Sequence, residues 1–303
     1  MHVGFIRAAL LGRQALGCVL AAFLSATAPA LAASSTAAID RAPEVLRSGE
    51  DVGAEVRIEL TRPGDEGLTF NARLSEAGGV INRPISWQVR AFGGETLFAQ
   101  DADEASLAAE PGDYMVEASY GAVKIERKLT LLAGQRLAVT FVLNAGGLRV
   151  LPKLKQLGLP AARPFTSIYR SSGVDGGTLV AITDEPGEIL RLGAGSYRIE
   201  SRFQPGNAQA MTEVTVKPGL LSAVELDMTA GIARLDASGA GEREIYWIIT
   251  DAKGERLPGI PGPTADVVLK PGRYVLRTRI DGVERISAFT IEPGRVSAII
   301  QSN

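Results

Sequence analysis

The densest group of acidic side chains in the sequence is Asp101, Asp103 and Glu104, with Glu110 nearby. Alternating carboxylates are the oxygen ligands that a hard cation such as Ca²⁺ prefers. Ca²⁺ needs about six or more oxygens, however, and this segment lacks the glycine and the distal glutamate of an EF-hand loop. A solvated loop and a calcium site therefore both remain open for this segment.

Enzymes that rely on histidine or cysteine are excluded by the positions of the only two such residues, His2 and Cys18. Both lie in an N-terminal segment with the features of a cleaved leader, so the mature chain would contain neither. This removes Ser-His-Asp triads, thiolate nucleophiles, Cys/His zinc sites and disulfide bonds. A pair of carboxylates can still hydrolyse a glycosidic bond, so a carboxylate-based, glycosidase-like hydrolase remains an alternative. Because the sequence singles out no such pair, we expect a protein that is not an enzyme and needs no cofactor.

Two tryptophans, Trp87 and Trp247, could bind a glycan by stacking on its sugar rings. They occupy equivalent positions in an internal repeat, however, which favours packing between the sheets of a β-sandwich. Glycan binding would require these rings to be exposed, and it stays an alternative on that condition.

A segment with an unusual number of leucines, residues 151–164, has no counterpart elsewhere in the chain. Its leucines are too many for a purely solvated loop. They could cap a sandwich or fill the junction between the first two modules. They could also form an exposed apolar patch that recruits a partner in the envelope. On this second interpretation the candidate partner-binding residues are Leu154, Leu157 and Leu159.

Residues 1–32 are predicted to be a secretory signal peptide. Two arginines form its basic start, residues 15–24 form an apolar run, and Ala30-Leu31-Ala32 is a small-residue cleavage site. The apolar run is about half of the roughly 20 residues that a membrane span needs. Retention of the segment as an anchor, or lipidation at its single cysteine, are the alternatives. We expect a periplasmic or secreted protein with no membrane span after cleavage.

The charge of the chain argues against nucleic acid as a partner. The formal net charge is −2, and removal of the leader would make it more negative by removing two arginines. Acidic and basic residues are interspersed, without a block of one sign. An anionic target normally requires a basic stripe or patch, so we expect an envelope protein or a glycan as the partner.

Internal repetition is visible at three tyrosines, Tyr114, Tyr197 and Tyr274, each of which directly follows a glycine-containing turn. An aromatic residue precedes each tyrosine at nearly constant spacing, and a second glycine follows it. These further anchors are Trp87, Tyr169 and Trp247 before the tyrosines, and Gly134, Gly219 and Gly294 after them.

Each repeat has the pattern of short strands separated by turns. From Tyr197 onward, apolar and polar residues alternate, which is typical of a half-buried antiparallel strand. Each tyrosine strand leads to a hairpin signal, and Asp281-Gly282 is a candidate for a type I′ turn. About seven such strands in each repeat predict an all-β sandwich.

The repeats resemble the immunoglobulin-like or prealbumin-like modules of secreted bacterial proteins, including carboxypeptidase-regulatory-like domains. The segment Leu269-Lys270-Pro271-Gly272-Arg273-Tyr274 matches the Leu-x-Pro-Gly-x-Tyr run of those modules, and the other two copies match it in part. The resemblance implies a fold and no particular function, because modules with unrelated roles share the run.

The predicted organisation is therefore three tandem antiparallel β-sandwiches, at 67–145, 146–229 and 230–303. Residues 33–66 are expected to form a flexible tether followed by a strand, containing Val56, Ile58 and Leu60, that joins the first module. We expect a non-catalytic exported protein that serves as a binding, spacer or envelope-assembly module.

Overall fold

The structure, a computed structural model, describes residues 46–47, 53–154, 157, 163–171, 177–241 and 243–301. In these ranges the chain forms β-strands, joined by turns and one short 3₁₀ segment at Ser238–Ala240. The all-β prediction is thus confirmed. No helix of the described ranges is long and apolar enough to cross a membrane. The predicted signal peptide lies outside them.

The first sandwich has a five-stranded sheet, β5-β4-β7-β8-β1, facing a four-stranded sheet, β6-β3-β9-β2. Its strands are β1 (Leu46–Arg47), β2 (Ala54–Leu60), β3 (Gly67–Arg73), β4 (Ile85–Ala91), β5 (Thr96–Ala102), β6 (Ala105–Ala108), β7 (Gly112–Tyr120), β8 (Val123–Leu131) and β9 (Gln135–Val142).

The second sandwich consists of the sheets β12-β11-β14-β15 and β13-β10-β16. Its strands are β10 (Ala145–Leu154), β11 (Arg163–Arg170), β12 (Thr178–Thr183), β13 (Ile189–Gly193), β14 (Gly195–Gln204), β15 (Gln209–Val216) and β16 (Leu221–Met228).

The third sandwich repeats this order in the sheets β19-β18-β21-β22 and β20-β17-β23. Its strands are β17 (Gly231–Asp236), β18 (Ile245–Asp251), β19 (Ile260–Pro261), β20 (Thr264–Leu269), β21 (Gly272–Ile280), β22 (Val283–Ile291) and β23 (Val296–Ile300).

One parallel strand pair recurs in all three sandwiches, namely the opening strand (β3, β10 or β17) with the closing strand (β9, β16 or β23). Parallel partners cannot be joined by a tight turn, and here the rest of the sandwich provides the connection. Apart from a short parallel pairing of β1 with β8, the remaining named pairs are antiparallel.

A hydrogen bond from the tyrosine hydroxyl recurs in all three sandwiches and helps to position the tyrosine strands β7, β14 and β21. The hydroxyl of Tyr114 donates to the carbonyl of Glu110 at 2.6 Å. Tyr197 and Tyr274 donate in the same way to Gly193 and Lys270, at 2.7 and 2.9 Å. Each ring is buried while its polar end is satisfied by the turn that precedes the strand, so the turn and the core hold each other in place.

The cores lie between the two sheets of each sandwich. Trp87 is 1% exposed and packs between Phe70 and Phe141 of the opposite sheet, with ring centroids 5.7 and 5.4 Å away. Trp247 is 0% exposed. Their indole N–H groups donate to backbone carbonyls, at Ala102 and Gly262 respectively. Neither ring has a face available for stacking on a sugar.

Strand β2 lies at the edge of the first sandwich, where it pairs antiparallel with the closing strand β9. Val56 and Ile58 stand opposite Val139 and Leu137 in this ladder. Residues Ala42–Asn303 together form one compact unit, so the boundaries between the modules stay predictions.

Candidate functional site

The second and third sandwiches meet where the loop between β14 and β15 lies along strand β20. The backbone N–H groups of Asn207 and Ala208 donate to the carbonyl of Val268, at 3.1 and 3.2 Å. In return, the N–H of Val268 donates to the carbonyl of Pro205 at 3.1 Å. These bonds extend the sheet of the third sandwich with backbone from the second, which fixes the two sandwiches against each other.

The side chain of Asn207 adds a second set of bonds at this junction. Its Oδ1 accepts from the backbone N–H of Lys270 at 2.9 Å, and its Nδ2 donates to the Tyr274 hydroxyl at 3.1 Å. Burial raises the pKa of the Tyr274 phenol, and the hydrogen bond with Asn207 acts in the opposite direction. The repeat anchor of the third sandwich is thereby tied to the second.

A small apolar core lies beneath the junction and contains one of the predicted candidate residues, Leu154. This side chain is 6% exposed and clusters with Phe203 and Met228 of the second sandwich and Ile232 and Val268 of the third. These contacts explain why a leucine stands at the end of β10, since the third sandwich covers the end of this strand.

The interpretation of the leucines as an exposed patch does not hold where the structure describes them. Leu154 is buried, and Leu157 is half-buried and packs against the same cluster. The junction that they fill is the one between the second and third sandwiches, whereas the sequence suggested the first and second. Leu159 lies outside the described residues.

Replacing Leu154 with alanine is expected to lower the free energy of unfolding by about 2 kcal/mol. This is the low end of the range for a buried leucine, because neighbours at a junction can close around the space left behind. Leu157→Ala should cost clearly less, since Leu157 is only half-buried. Urea unfolding followed by circular dichroism measures both variants, and equal small losses would show that Leu154 does not stabilise the junction.

A cleft of about 530 Å³ opens at the surface of this junction. Its walls come from the β14–β15 loop, from the connection between β18 and β19, and from the turn before β21. Five cationic and two acidic residues line it. The cations are Arg202 on β14, Lys253 and Arg256 in the β18–β19 connection, Lys270 after β20 and Arg273 on β21.

The five cations have no acidic partner in the part of the chain that the structure describes. No carboxylate oxygen there lies within salt-bridge distance of any of them. The acidic residues of the cleft are Asp251 and Glu255. The Oδ1 of Asp251 accepts the backbone N–H groups of Lys253 and Glu255, at 2.9 Å each, and so shapes the loop. With five cations against two acidic residues, the cleft has an excess of positive charge.

The cleft continues into a second depression of about 500 Å³, which shares Arg202, Gln209 and Lys270 with it. The corresponding depression at the junction of the first and second sandwiches is lined by only two cations, Arg83 and Arg191. Arg191 is engaged there, because its Nε donates to the Tyr120 hydroxyl at 3.2 Å. Arg83 and Arg191 also lack an acidic partner among the described residues, so the second junction differs in the number of its cations, five against two.

Of the acidic residues that the sequence placed in one loop, Asp101 lies on strand β5, and only Asp103 and Glu104 lie in the turn between β5 and β6. Asp103 Oδ1 accepts the backbone N–H of Glu104 at 3.0 Å, as in a solvated turn. Among the described residues, no group of three or more His, Cys, Asp or Glu side chains is arranged to hold a metal ion. The described residues therefore give no support to a calcium site in this segment.

The sequence did not reveal the basic cleft, because its cations are scattered from Arg202 to Arg273 and separated by acidic residues. A weak signal was present, since Arg202 and Arg273 both lie on the outward positions of tyrosine strands that alternate in and out. Only the packing of the third sandwich against the second brings these positions together.

No protein-family model and no curated protein matches the chain. Solved structures do show likeness. The Bacillus anthracis TIE protein is 17% identical, with a TM-score of 0.25, over 78% of this chain and 50% of that one. GBS52, the minor pilin of Streptococcus agalactiae, is 15% identical, with a TM-score of 0.28, over 54% of this chain and 95% of that one. The pilus adhesin SpaC from Lactobacillus rhamnosus GG is 10% identical, with a TM-score of 0.24, over 82% of this chain and 44% of that one.

The chain thus spans half the length of the TIE protein and less than half that of SpaC. At these TM-scores the likeness carries no argument about function. The assignment of tandem β-sandwiches rests on the sheets of this chain itself.

Proposed function

We propose that this chain is a non-catalytic, exported binding module that holds an anionic polymer in the cleft between its second and third sandwiches. The polymer would present carboxylate or phosphate groups at several points along its length. Its binding would be electrostatic, with Arg202, Lys253, Arg256, Lys270 and Arg273 as the contacting cations.

The observation that carries this proposal is the convergence on one concave surface of five cations that have no acidic partner among the described residues, in a chain whose formal net charge is −2. Like charges held close together repel one another. The entry of an anion relieves this repulsion and so lowers the free energy of the cleft. Arginine and lysine also make charge-assisted hydrogen bonds with carboxylate and phosphate oxygens. A cleft open to solvent suits a chain that passes through it better than a small ligand enclosed on all sides.

Export is part of the proposal because it rests on the predicted signal peptide. The hydrolase alternative would need two carboxylates aimed at a shared substrate position. In the cleft, Asp251 is occupied by backbone N–H groups of its own loop, so a binding role is favoured there. Recognition of a neutral glycan by Trp87 and Trp247 would need exposed rings, and both are buried.

The test is the affinity for three anionic polymers, namely polyglutamate, polygalacturonate and polyphosphate, measured by titration calorimetry at two salt concentrations. We expect at least one of them to bind more weakly as the salt concentration rises. The double variant Lys270→Ala/Arg273→Ala should weaken that binding by roughly ten- to a hundredfold, because two charge-assisted contacts are lost.

A matched control is the double variant Arg57→Ala/Lys217→Ala, which removes two exposed cations that do not line the cleft. It has the same net charge as the cleft variant. Equal losses in the two variants would mean that the polymers respond only to overall charge, and absence of binding by all three would contradict the proposal. The polymer that binds best decides between a peptide, a glycan and a phosphate ligand.

A further inference from the structure

Strand β2 has an open edge at the side of the first sandwich. It pairs with β9 on one side, and among the described residues no strand pairs with its other side. The N–H of Thr61 donates to the Gly134 carbonyl on the β9 side at 2.9 Å, so the odd-numbered residues of β2 direct their peptide groups towards β9. Because this direction alternates along a strand, the peptide groups of Val56, Ile58 and Leu60 point towards the open edge.

The side chains of the same three residues form an apolar row that the sandwich leaves uncovered. They lie on the core-facing side of the sheet, since Val56 and Ile58 stand opposite the buried residues Val139 and Leu137. Their exposed fraction nevertheless rises along the strand, from 43% at Val56 to 57% at Ile58 and 88% at Leu60. A partner that covers this row would gain the hydrophobic contribution of burying it.

Charged side chains alternate with the apolar row and lie on the outward side of β2. Glu55 forms an ion pair with Arg73 of its own sheet. Arg57 and Glu59 are exposed, and neither has a salt-bridge partner among the described residues. One charge of each sign is therefore available to a neighbouring strand.

Strand β2 lacks the features by which edge strands usually avoid pairing. Proteins protect such edges with a proline, a bulge, a very short strand or a charged side chain that points inwards. β2 has seven residues and no proline, pairs with β9 without a shift in register, and carries its charges on the outward side. The edge is thus suited to accepting another strand.

The sequence of β2 is complementary to itself in one antiparallel register. With Ile58 opposite Ile58 of a second copy, Val56 faces Leu60 and Arg57 faces Glu59. The residues whose peptide groups point to the open edge are then directly opposed and exchange hydrogen bonds in pairs. Centring on Arg57 or Glu59 would place like charges opposite each other, which is destabilising. Centring on Val56 would leave Leu60 beyond the end of the partner strand.

We infer that two copies of the chain form a symmetric dimer in which their β2 strands pair antiparallel about Ile58. The pairing joins two four-stranded sheets into one continuous sheet and brings both apolar rows into one cluster. The same surface is used by both copies, so the contact closes at the dimer. A single pair of strands is a small interface, and we expect reversible association. The inference is separate from anion binding, because no residue of β2 lines the basic cleft.

Reversal of the two charges tests both the dimer and its register. In sedimentation velocity, the sedimentation coefficient of the unsubstituted full chain should rise with concentration. Arg57→Glu and Glu59→Arg should each raise the Kd of the dimer roughly ten- to a hundredfold, because each turns two attractions into two repulsions. The double variant Arg57→Glu/Glu59→Arg should recover most of the affinity, since opposite charges face each other again. A monomer at all concentrations, or losses that the double variant does not recover, would overturn the inference.

The matched control for Arg57→Glu is Lys217→Glu, at an exposed cation of the second sandwich. It changes the net charge by the same amount and should leave the Kd of the dimer unchanged. An equal loss in both variants would mean that association responds to overall charge, which contradicts a contact through β2.

Disulfide cross-linking is a second measurement that does not depend on the charges. The chain has a single cysteine, so Cys18→Ser in the full chain provides a background without thiols. In this background Ile58→Cys should cross-link to itself, because directly opposed residues that exchange hydrogen bonds have Cα atoms about 5.5 Å apart, which is within disulfide reach.

The control for the cross-link is Ile300→Cys, at another exposed isoleucine on an edge strand. It should give roughly tenfold less dimer, because no contact holds two copies together at that position. Equal yields from the two variants would refute the pairing. If the residues before β1 cover the apolar row instead, Ile58→Cys will stay monomeric, and the inference fails.

Discussion

Replacing Trp247 with alanine is expected to lower the free energy of unfolding of the third sandwich by about 3–5 kcal/mol. The ring fills the centre of that core, next to Leu276 and the other inward side chains. Its removal would leave a cavity and would also deprive the Gly262 carbonyl of its hydrogen bond from the indole, which is 2.7 Å long. This is a large loss for a sandwich with no disulfide bond to limit unfolding.

Two spectroscopic signals separate the sandwiches in this experiment. The chain has two tryptophans, so in Trp247→Ala the fluorescence comes from Trp87 and reports on the first sandwich alone. We expect circular dichroism to show an early unfolding transition that the fluorescence of Trp87 does not follow. Tyr246→Ala is the matched control, because Tyr246 is the neighbouring residue but is 38% exposed. A similar loss in both variants would contradict a core role for Trp247.

Replacing Gly206 with valine is expected to separate the second and third sandwiches. Gly206 has a φ of +145°, which residues with a side chain rarely adopt, and a Cβ on it would lie 2.0 Å from the Val268 carbonyl oxygen. Since backbone on both sides cannot move aside cheaply, we expect a loss of about 3–5 kcal/mol from strain and overpacking together. The affinity of the basic cleft for its polymer should fall as well, because Arg202 would no longer face Lys270 and Arg273.

The control for Gly206→Val distinguishes the clash from the effect of a positive φ alone. Gly241 has a φ of +69°, and a Cβ there would meet no atom within 4 Å. Gly241→Val should therefore cost only the backbone strain and should leave polymer binding intact. If both variants bind the polymer as the unsubstituted chain does, the junction is not needed to form the cleft.

The repeat was readable in the sequence because it depends on local physical chemistry. A glycine turn directly before a tyrosine, followed by alternating apolar and polar residues, specifies a strand and the side that faces the core. The positive φ values of Asp281 and Gly282, +47° and +83°, are those of the predicted type I′ turn. The pairing of opening and closing strands in parallel was not readable, because it joins residues from the two ends of a module.

The surroundings of the leucine-rich segment could not be predicted from the sequence. Its leucines are too many for a purely solvated loop, but composition does not say whether a neighbour covers them or which one. Leu154 is covered by Ile232 and Val268, residues of a sandwich that begins far along the chain. The choice between a patch and a junction was therefore a question of tertiary structure.

The sequence by itself determined that this is an all-β chain of three related units, each held by a buried tyrosine and turn glycines, with no histidine or cysteine beyond the predicted leader. These features follow from periodicity and residue type, which act over a few residues. Only the tertiary structure decided where the charge collects and which surfaces stay open. Five cations from separate strands and loops converge because a hairpin of the second sandwich forms backbone hydrogen bonds with the edge strand of the third. Peptide groups make these bonds, and because every residue has them, the sequence gives no sign of where such a junction will form.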